Sequence, residues 1–178
     1  MAGDDRELWE RISRGDNRSF ESFYRECASR LLSFLLQMTG SKQAAEDITQ
    51  DTFLQLWRRP NGFRPEKGPL RAYVFGIGRK RAAEWRRHNT PVADAGLDQG
   101  ATATEEASSI MADALSRLDP EQRALLWLRE VEGQSYAELA EILEIPVGTV
   151  KSRLFAAREG LRGVWTCERV RKQEGEKV

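Results

Sequence analysis

SYAELAEILEIPVGTVKSRLFAAREGLR, residues 135–162, holds two helical patterns separated by only a few residues. Ser135 followed by Glu138 has capping-box spacing, in which the serine hydroxyl accepts from the first turn and the glutamate reaches back to the cap. Leu139, Ala140, Ile142 and Leu143 then recur at helical spacing. Pro146, tolerated only at a helix start, opens a second pattern through Val150, Leu154, Ala157 and Leu161. The other side of that pattern is basic, with Lys151, Arg153, Arg158 and Arg162 against Glu159. Two short helices joined by a tight turn, the second of them basic, predict a helix-turn-helix.

Upstream, Asp119-Pro120-Glu121-Gln122 supplies a cap and a proline at the first helical position, and residues 124–131 form a short apolar helix that closes near Gly133. Residues 89–108 are rich in Ala, Thr, Gly, Asp and Glu without an aromatic side chain. Such a segment buries too little surface to offset its ordering entropy, so a flexible acidic linker is expected. Before it lies a second helical block. Phe20, Phe23, Tyr24, Cys27, Leu31, Phe34, Leu35 and Met38 make one apolar stripe, ended by Gly40. Ser41 caps a helix running through about Trp57, and Arg59-Pro60-Asn61-Gly62 breaks it. A helix is expected over residues 70–87, and an N-terminal one over 5–13 packs through Leu8, Trp9 and Ile12. The expected fold is all-α: a first domain at 1–88, a linker at 89–109, a helix-turn-helix domain at 110–165, and a loose charged tail at 166–178.

Composition narrows the function. With 40% hydrophobic and 31% charged residues the chain reads as a soluble globular protein. No apolar run approaches the roughly 20 residues a membrane span requires. MAGDDRELWERI carries acids where a signal peptide carries a basic stretch, so a cytoplasmic location is expected. Cys27 and Cys167 lack a CxxC or Cys/His neighbour, and His88 lacks a catalytic companion, so no metal, cofactor or enzymatic activity is expected. The net charge of +0 conceals two basic islands. Arg71, Arg79, Lys80, Arg81, Arg86 and Arg87 face Glu84 alone, and the helix after Pro146 is the other. Neutral totals with segregated islands suit a polyanion binder that also has a protein-facing surface.

Four stretches carry a family resemblance: AAEDITQDTFLQLWRR (44–59), GPLRAYVFGIGRKRAAEWRRH (68–88), LDPEQRALLWLREVEGQSY (118–136) and GTVKSRL (148–154), the last being the most specific. In order and content they resemble the sigma-70 family of bacterial promoter-specificity subunits, and within it the ECF (extracytoplasmic function) sigma factors. The resemblance spans residues 20–163. It implies binding to core RNA polymerase, at its clamp coiled coil and flap, melting of the minus-ten element by the first domain, docking on minus-thirty-five DNA by the second, and control by an anti-sigma factor in a stress response.

Residue by residue, the helix at 44–59 is similar to the family's clamp-binding helix. Ile48, Thr52 and Leu56 share its core side, leaving Asp47, Gln50, Asp51 and Leu54 for a partner, with Phe53 and Trp57 as added anchor area. For minus-ten DNA the resemblance points to the loop residues Asn61, Phe63, Arg64 and Lys67 and the helix residues Arg71, Tyr73, Arg79, Lys80, Arg86 and Arg87. Single-stranded bases stack on aromatic rings while cations hold phosphates. Tyr73 and Phe75 read equally as core. For the minus-thirty-five element the set is Lys151, Ser152, Arg153, Phe155 and Arg158, in which cations pair with guanine edges or phosphates and Phe155 touches a thymine methyl. An internal salt bridge is the other reading of Arg153. Departures from the family pattern are Tyr73-Val74 for Trp-Leu, Lys80 for Asn, Glu84 near a common Asp, Glu144 for a turn glycine and Ala156 for a basic residue. Two rivals stand beside this reading: a stand-alone helix-turn-helix regulator with an N-terminal dimerisation bundle, and a helical enzyme using Glu46, Asp47 and Asp51 as metal ligands.

Overall fold

The computed structural model describes the backbone of residues 2–59, 62–89, 114–115 and 117–175, with side chains over the same residues except 2–4 and 164–175. The expected linker, but for Asn89, therefore lies outside the described residues. Helices α1 (Ala2–Ser13), α2 (Asn17–Thr39), α3 (Lys42–Arg58) and α4 (Leu70–His88) make the first domain, with a 3-10 turn at Pro65–Lys67. Helices α5 (Pro120–Leu126), α6 (Tyr136–Leu143) and α7 (Val147–Gly175) make the second. A π-helical turn, Trp127–Val131, extends α5.

Helix ends follow local chemistry. Asp16 accepts from the backbone N–H of Arg18 at 3.0 Å and of Ser19 at 3.5 Å, starting α2. Gly40 at φ 64° ends it in the left-handed region that glycine enters without a Cβ penalty. Ser41 caps α3 through the Ala44 N–H at 3.3 Å. Ser135 Oγ accepts from Glu138 N at 3.1 Å and Ser135 N donates to Glu138 Oε2 at 2.6 Å, completing the expected box. The last helix does not end near Arg162 but runs to Gly175, past the start of the expected tail. Residues 164–175 contain no proline and are rich in Glu, Arg, Lys and Gln, which propagate a helix readily.

Helix α2 is the axis of the core. Its stripe Phe23, Cys27, Leu31, Phe34, Leu35 and Met38 is buried, as are Ile48, Thr52 and Leu56 of α3. Buried hydroxyls there are satisfied within their own helices: Thr39, Thr49 and Thr52 donate to carbonyls four residues back at 2.9, 2.7 and 2.7 Å. Helix α4 closes on α2 at Gly78, where an added Cβ would stand 3.0 Å from a Leu31 methyl and 3.4 Å from one of Leu35.

The two domains share a single buried cluster, which runs from Trp9 and Phe34 through Leu125, Leu128 and Ile142 to Leu154. Helix α6 lies on α4, and α5 lies on α2. Two consequences can be checked by urea denaturation. Gly78→Val should destabilise the chain by about 1–3 kcal/mol, because the branched side chain has no room against Leu31. Ser135→Ala should cost about 1 kcal/mol through loss of the cap.

Candidate protein and nucleic-acid interfaces

Along α3, helical periodicity turns Ile48, Thr52 and Leu56 inward and leaves Asp47, Gln50, Asp51 and Leu54 exposed. Trp57 stays 37% and Leu54 39% exposed, an uncommon state for such large apolar groups side by side. Phe53 is core, 3% exposed, and forms the floor rather than the rim of this surface. Rings from α2 complete the groove: Phe20 lies 4.8 Å from Trp57, and Tyr24 lies 4.8 Å from Phe53. Asn17, Phe20 and Tyr24 line this groove, and sequence reasoning did not assign them to it. The apolar stripe of the sequence predicts a core place for Tyr24, yet it is exposed, because a residue next to Phe23 turns to another side of α2. Asp51 is already engaged, accepting from Arg81 Nη1 at 2.9 Å while Arg81 Nη2 donates to Gln55 Oε1 at 2.9 Å.

The loop before α4 and the helix itself build a second surface. Asn61 lies outside the described residues. Phe63 is buried at 7% exposure, its ring 5.4 Å from Trp9 and 5.6 Å from Tyr73. It is therefore a packing residue holding the loop to α1, and is not presented to a base. Arg64 and Lys67 are exposed. Tyr73 is half-buried, its phenol pushed above its ordinary pKa by burial. Its hydroxyl occupies the space a side chain at Gly62 would need. Phe75 is fully buried, 5.2 Å from Phe34, which places it in the core. Arg86 is half-buried and Arg87 exposed.

Three cations of this surface meet the second domain. Arg79 Nε donates to the Ile142 carbonyl at 3.1 Å, and its Nη1 lies 3.8 Å from Glu121. Lys80 Nζ pairs with Glu144 at 2.6 Å. Arg71 Nε lies 3.3 Å from the side-chain amide of the fully buried Gln134 and can donate to its oxygen when the amide turns that atom toward it. A cleft of about 410 Å³ lies between the domains, walled by Arg64, Lys67, Tyr73 and Lys80 on one side and Glu141, Ile142 and Glu144 on the other.

On α7, Val150, Leu154 and Ala157 point into the core while Lys151, Ser152, Arg153, Phe155 and Arg158 all face out. Phe155 is 67% exposed. Arg158 pairs with Glu130 at 2.6 Å, an interaction that raises its pKa and anchors the helix side to the π turn. Lys151 and Arg129 both lie over the Tyr136 ring, at 5.9 and 4.8 Å. Arg153 is exposed, as a contact residue requires.

Elsewhere, Cys27 is 1% exposed and its thiol is pushed up to about 12 by burial, which suppresses the reactive thiolate. The side chain of Cys167 lies outside the described residues. Among the described residues no group of three or more His, Cys, Asp or Glu is placed to hold a metal ion, and no helix is long and apolar enough to cross a membrane.

Comparison with known proteins gives this geometry its context. Residues 23–91 match the model of sigma-70 region 2, and residues 108–161 match that of sigma-70 region 4. The ECF RNA polymerase sigma factor SigL of Mycobacterium tuberculosis is 33% identical over 151 residues, covering 79% of this chain and 85% of the relative. The ECF RNA polymerase sigma-E factor of Haemophilus influenzae is 28% identical, covering 87% and 92%. Among solved structures, CnrH in complex with the cytosolic domain of CnrY superposes with a TM-score of 0.71 at 24% identity, covering 92% of this chain and 97% of that one. RpoE of Bartonella quintana, solved with the anti-sigma factor NepR, gives 0.70 at 23% identity, covering 84% and 98%. The chain belongs to the sigma-70 family, and within it to the ECF RNA polymerase sigma factors, the subunits that direct promoter-specific transcription initiation.

Proposed function

We infer that three surfaces divide the work of this sigma factor. The outer face of α3 docks on the clamp coiled coil of core polymerase, the loop before α4 and α4 itself capture the minus-ten element, and α7 enters the major groove at the minus-thirty-five element. The observation that carries the reading is the face of α3. Asp47 and Gln50 stand exposed beside the apolar pair Leu54 and Trp57. An apolar anchor rimmed by polar groups is what a protein partner, rather than solvent, requires. Asp51 contributes less than its neighbours, since Arg81 already neutralises it.

At the minus-thirty-five element, the exposed Lys151, Ser152, Arg153 and Arg158 supply phosphate and base-edge contacts, and Phe155 supplies the apolar one. At the minus-ten element the work falls to Arg64, Lys67, Arg71, Tyr73, Arg79, Lys80, Arg86 and Arg87, with Asn61 in the loop; Phe63 supports them from below. Phosphodiester chemistry belongs to the polymerase, and this chain supplies binding energy alone, without a cofactor. The solved relatives CnrH and RpoE were captured with CnrY and an anti-sigma factor. By extension, an anti-sigma protein covering the α3 groove is the expected regulator, and the cytoplasm, where polymerase resides, is the expected location.

Pull-down of core bacterial RNA polymerase, followed by run-off transcription on genomic promoter fragments, tests the assignment. Capture with new start sites is expected; retained duplex binding without polymerase would indicate a stand-alone regulator. Asp47→Arg should weaken polymerase capture by at least about tenfold with an unchanged circular dichroism spectrum, since a reversed charge at an interface opposes docking. Unimpaired capture would remove α3 from the interface. Arg153→Ala should cost about 1–3 kcal/mol in binding minus-thirty-five duplex and relax specificity at one position, as read by competition with base-substituted duplexes.

A further inference from the structure

Helix α1 stands outside the residues that match sigma-70 region 2, which begin at 23. Its buried side chains have a definite destination all the same. Trp9 and Ile12, neighbours on one helix face, are 7% and 3% exposed. The helix packs against α2 and against the 3-10 turn at Pro65–Lys67. Its contact with the loop is aromatic. The Trp9 ring meets that of Phe63 at 5.4 Å and 71°, an edge-to-face arrangement, and Phe63 lies 5.6 Å from Tyr73 of α4. A residue two places before the turn is thereby clamped between the first helix and the fourth.

The turn has little to hold it by itself. It closes with two backbone hydrogen bonds: Lys67 N donates to the Arg64 carbonyl at 3.0 Å, and Gly68 N to that of Pro65 at 3.4 Å. So short a run does not offset the cost of ordering its own backbone. Pro65 fixes one φ, and Gly68 carries the chain toward α4 at φ 146°, a value other residues rarely adopt. Neither prevents the turn from swinging as a unit on its flanks. Its place is set by the buried Phe63 ring and by the Tyr73 hydroxyl, which fills the space beside Gly62. Arg64 and Lys67 are the exposed cations at the two ends of the turn, so their aim depends on that seat.

We propose that α1 is the positioning element of the minus-ten loop: Trp9, through its edge contact with Phe63, seats the turn so that Arg64 and Lys67 are already aimed when the melted strand arrives. Trp9 is buried and acts through Phe63, not on the strand itself. A loop seated in advance spares binding the ordering cost it would otherwise carry. Without the Trp9 ring the seated form is only a fraction of the population, and apparent affinity for the strand falls by that fraction. The proposal rests on the assignment of this loop to minus-ten DNA.

Variants of the full chain test it. Trp9→Leu keeps an apolar side chain but removes the ring; Trp9→Phe keeps a ring edge; Phe63→Leu breaks the same contact from the loop side. Hydrogen–deuterium exchange reads the Lys67 and Gly68 amides, and circular dichroism reads helix content. Holoenzyme assembled with core polymerase is then placed on a promoter fragment from the run-off assay, where permanganate reactivity of minus-ten thymines reads melting. Capture of core polymerase and anisotropy on a minus-thirty-five duplex are the controls. For Trp9→Leu and Phe63→Leu, exchange at the turn should be about tenfold faster and melting about tenfold weaker, with helix content retained and both controls within about twofold of the wild type. Trp9→Phe should recover most of both losses. Core capture and duplex binding that fall in step with melting would mean that Trp9 serves overall stability alone, and would overturn the proposal. So would unchanged exchange at the turn, or faster exchange with unchanged melting. The double variant Arg64→Ala, Lys67→Ala leaves the Trp9 contact in place and should melt poorly. If it melts normally, the assignment of the loop fails and the proposal with it; if it melts poorly while Trp9→Leu melts normally, the positioning role alone is rejected.

Discussion

The contact between Gly78 and the methyl groups of Leu31 and Leu35 sets the geometry of the rest. With no side chain at that point, α4 lies directly on the buried stripe of α2, and its rotation about its own axis follows. Val74, Phe75 and Ala82 are then driven inward with Gly78, and the periodicity of the helix sends Gly76, Arg79 and Lys80 to the side where α6 packs. A larger residue at 78 would push α4 outward and turn its cations elsewhere. The position of the proposed nucleic-acid surface is thus inherited from a packing constraint between two helices at a point where neither carries a proposed contact residue.

Charge completes the arrangement without driving it. Glu121, Glu132 and Glu144 of the second domain face Arg79, Arg30 and Lys80 of the first. Most of these groups keep contact with water, where an ion pair is worth about 0–1 kcal/mol. Glu132 is the exception, its side chain 2% exposed and 3.6 Å from Arg30. There the cost of desolvating the carboxylate consumes much of the attraction to the half-exposed Arg30, so the pair adds little stability. Burial of Leu125, Leu128 and Ile142 in the shared cluster is the larger favourable contribution, because it grows with apolar area removed from water. The neutral total charge of the chain owes more to the stretch 89–109, where Asp94, Asp98, Glu105 and Glu106 stand without a cation, than to the second domain.

Exposure separates the three proposed faces by kind. The α3 face is acidic and apolar, with Trp57 and Leu54 unshielded; the α7 face is basic around Phe155; the α4 face is basic and only in part covered. Aromatic content alone does not distinguish them. Phe53, Phe63 and Phe75 each lie within a stretch that matches a contact region, yet each is buried by rings from a neighbouring helix. Aromatic residues in a small helical protein are first of all the bulk of its core.

The sequence by itself determined the main helices, most of their ends and the family, though not the run of the last helix to Gly175. Capping signals at Ser41 and Ser135, the glycine stop at Gly40 and the 3.6-residue spacing of apolar side chains are interactions within a few residues, so each is written locally. For the same reason the outward faces of α3 and α7 were legible: a helix with one buried stripe leaves the opposite side to solvent. Tertiary structure decided which cations were free to act. That Arg81 would reach Asp51, that Arg79 would cap α6, and that Lys80 would find Glu144 depends on two helices meeting across 64 residues of chain or on neighbours 30 apart. No periodicity records such encounters, because they arise only once Gly78 has let α4 settle closely on α2 and α6 has packed on the other side of α4.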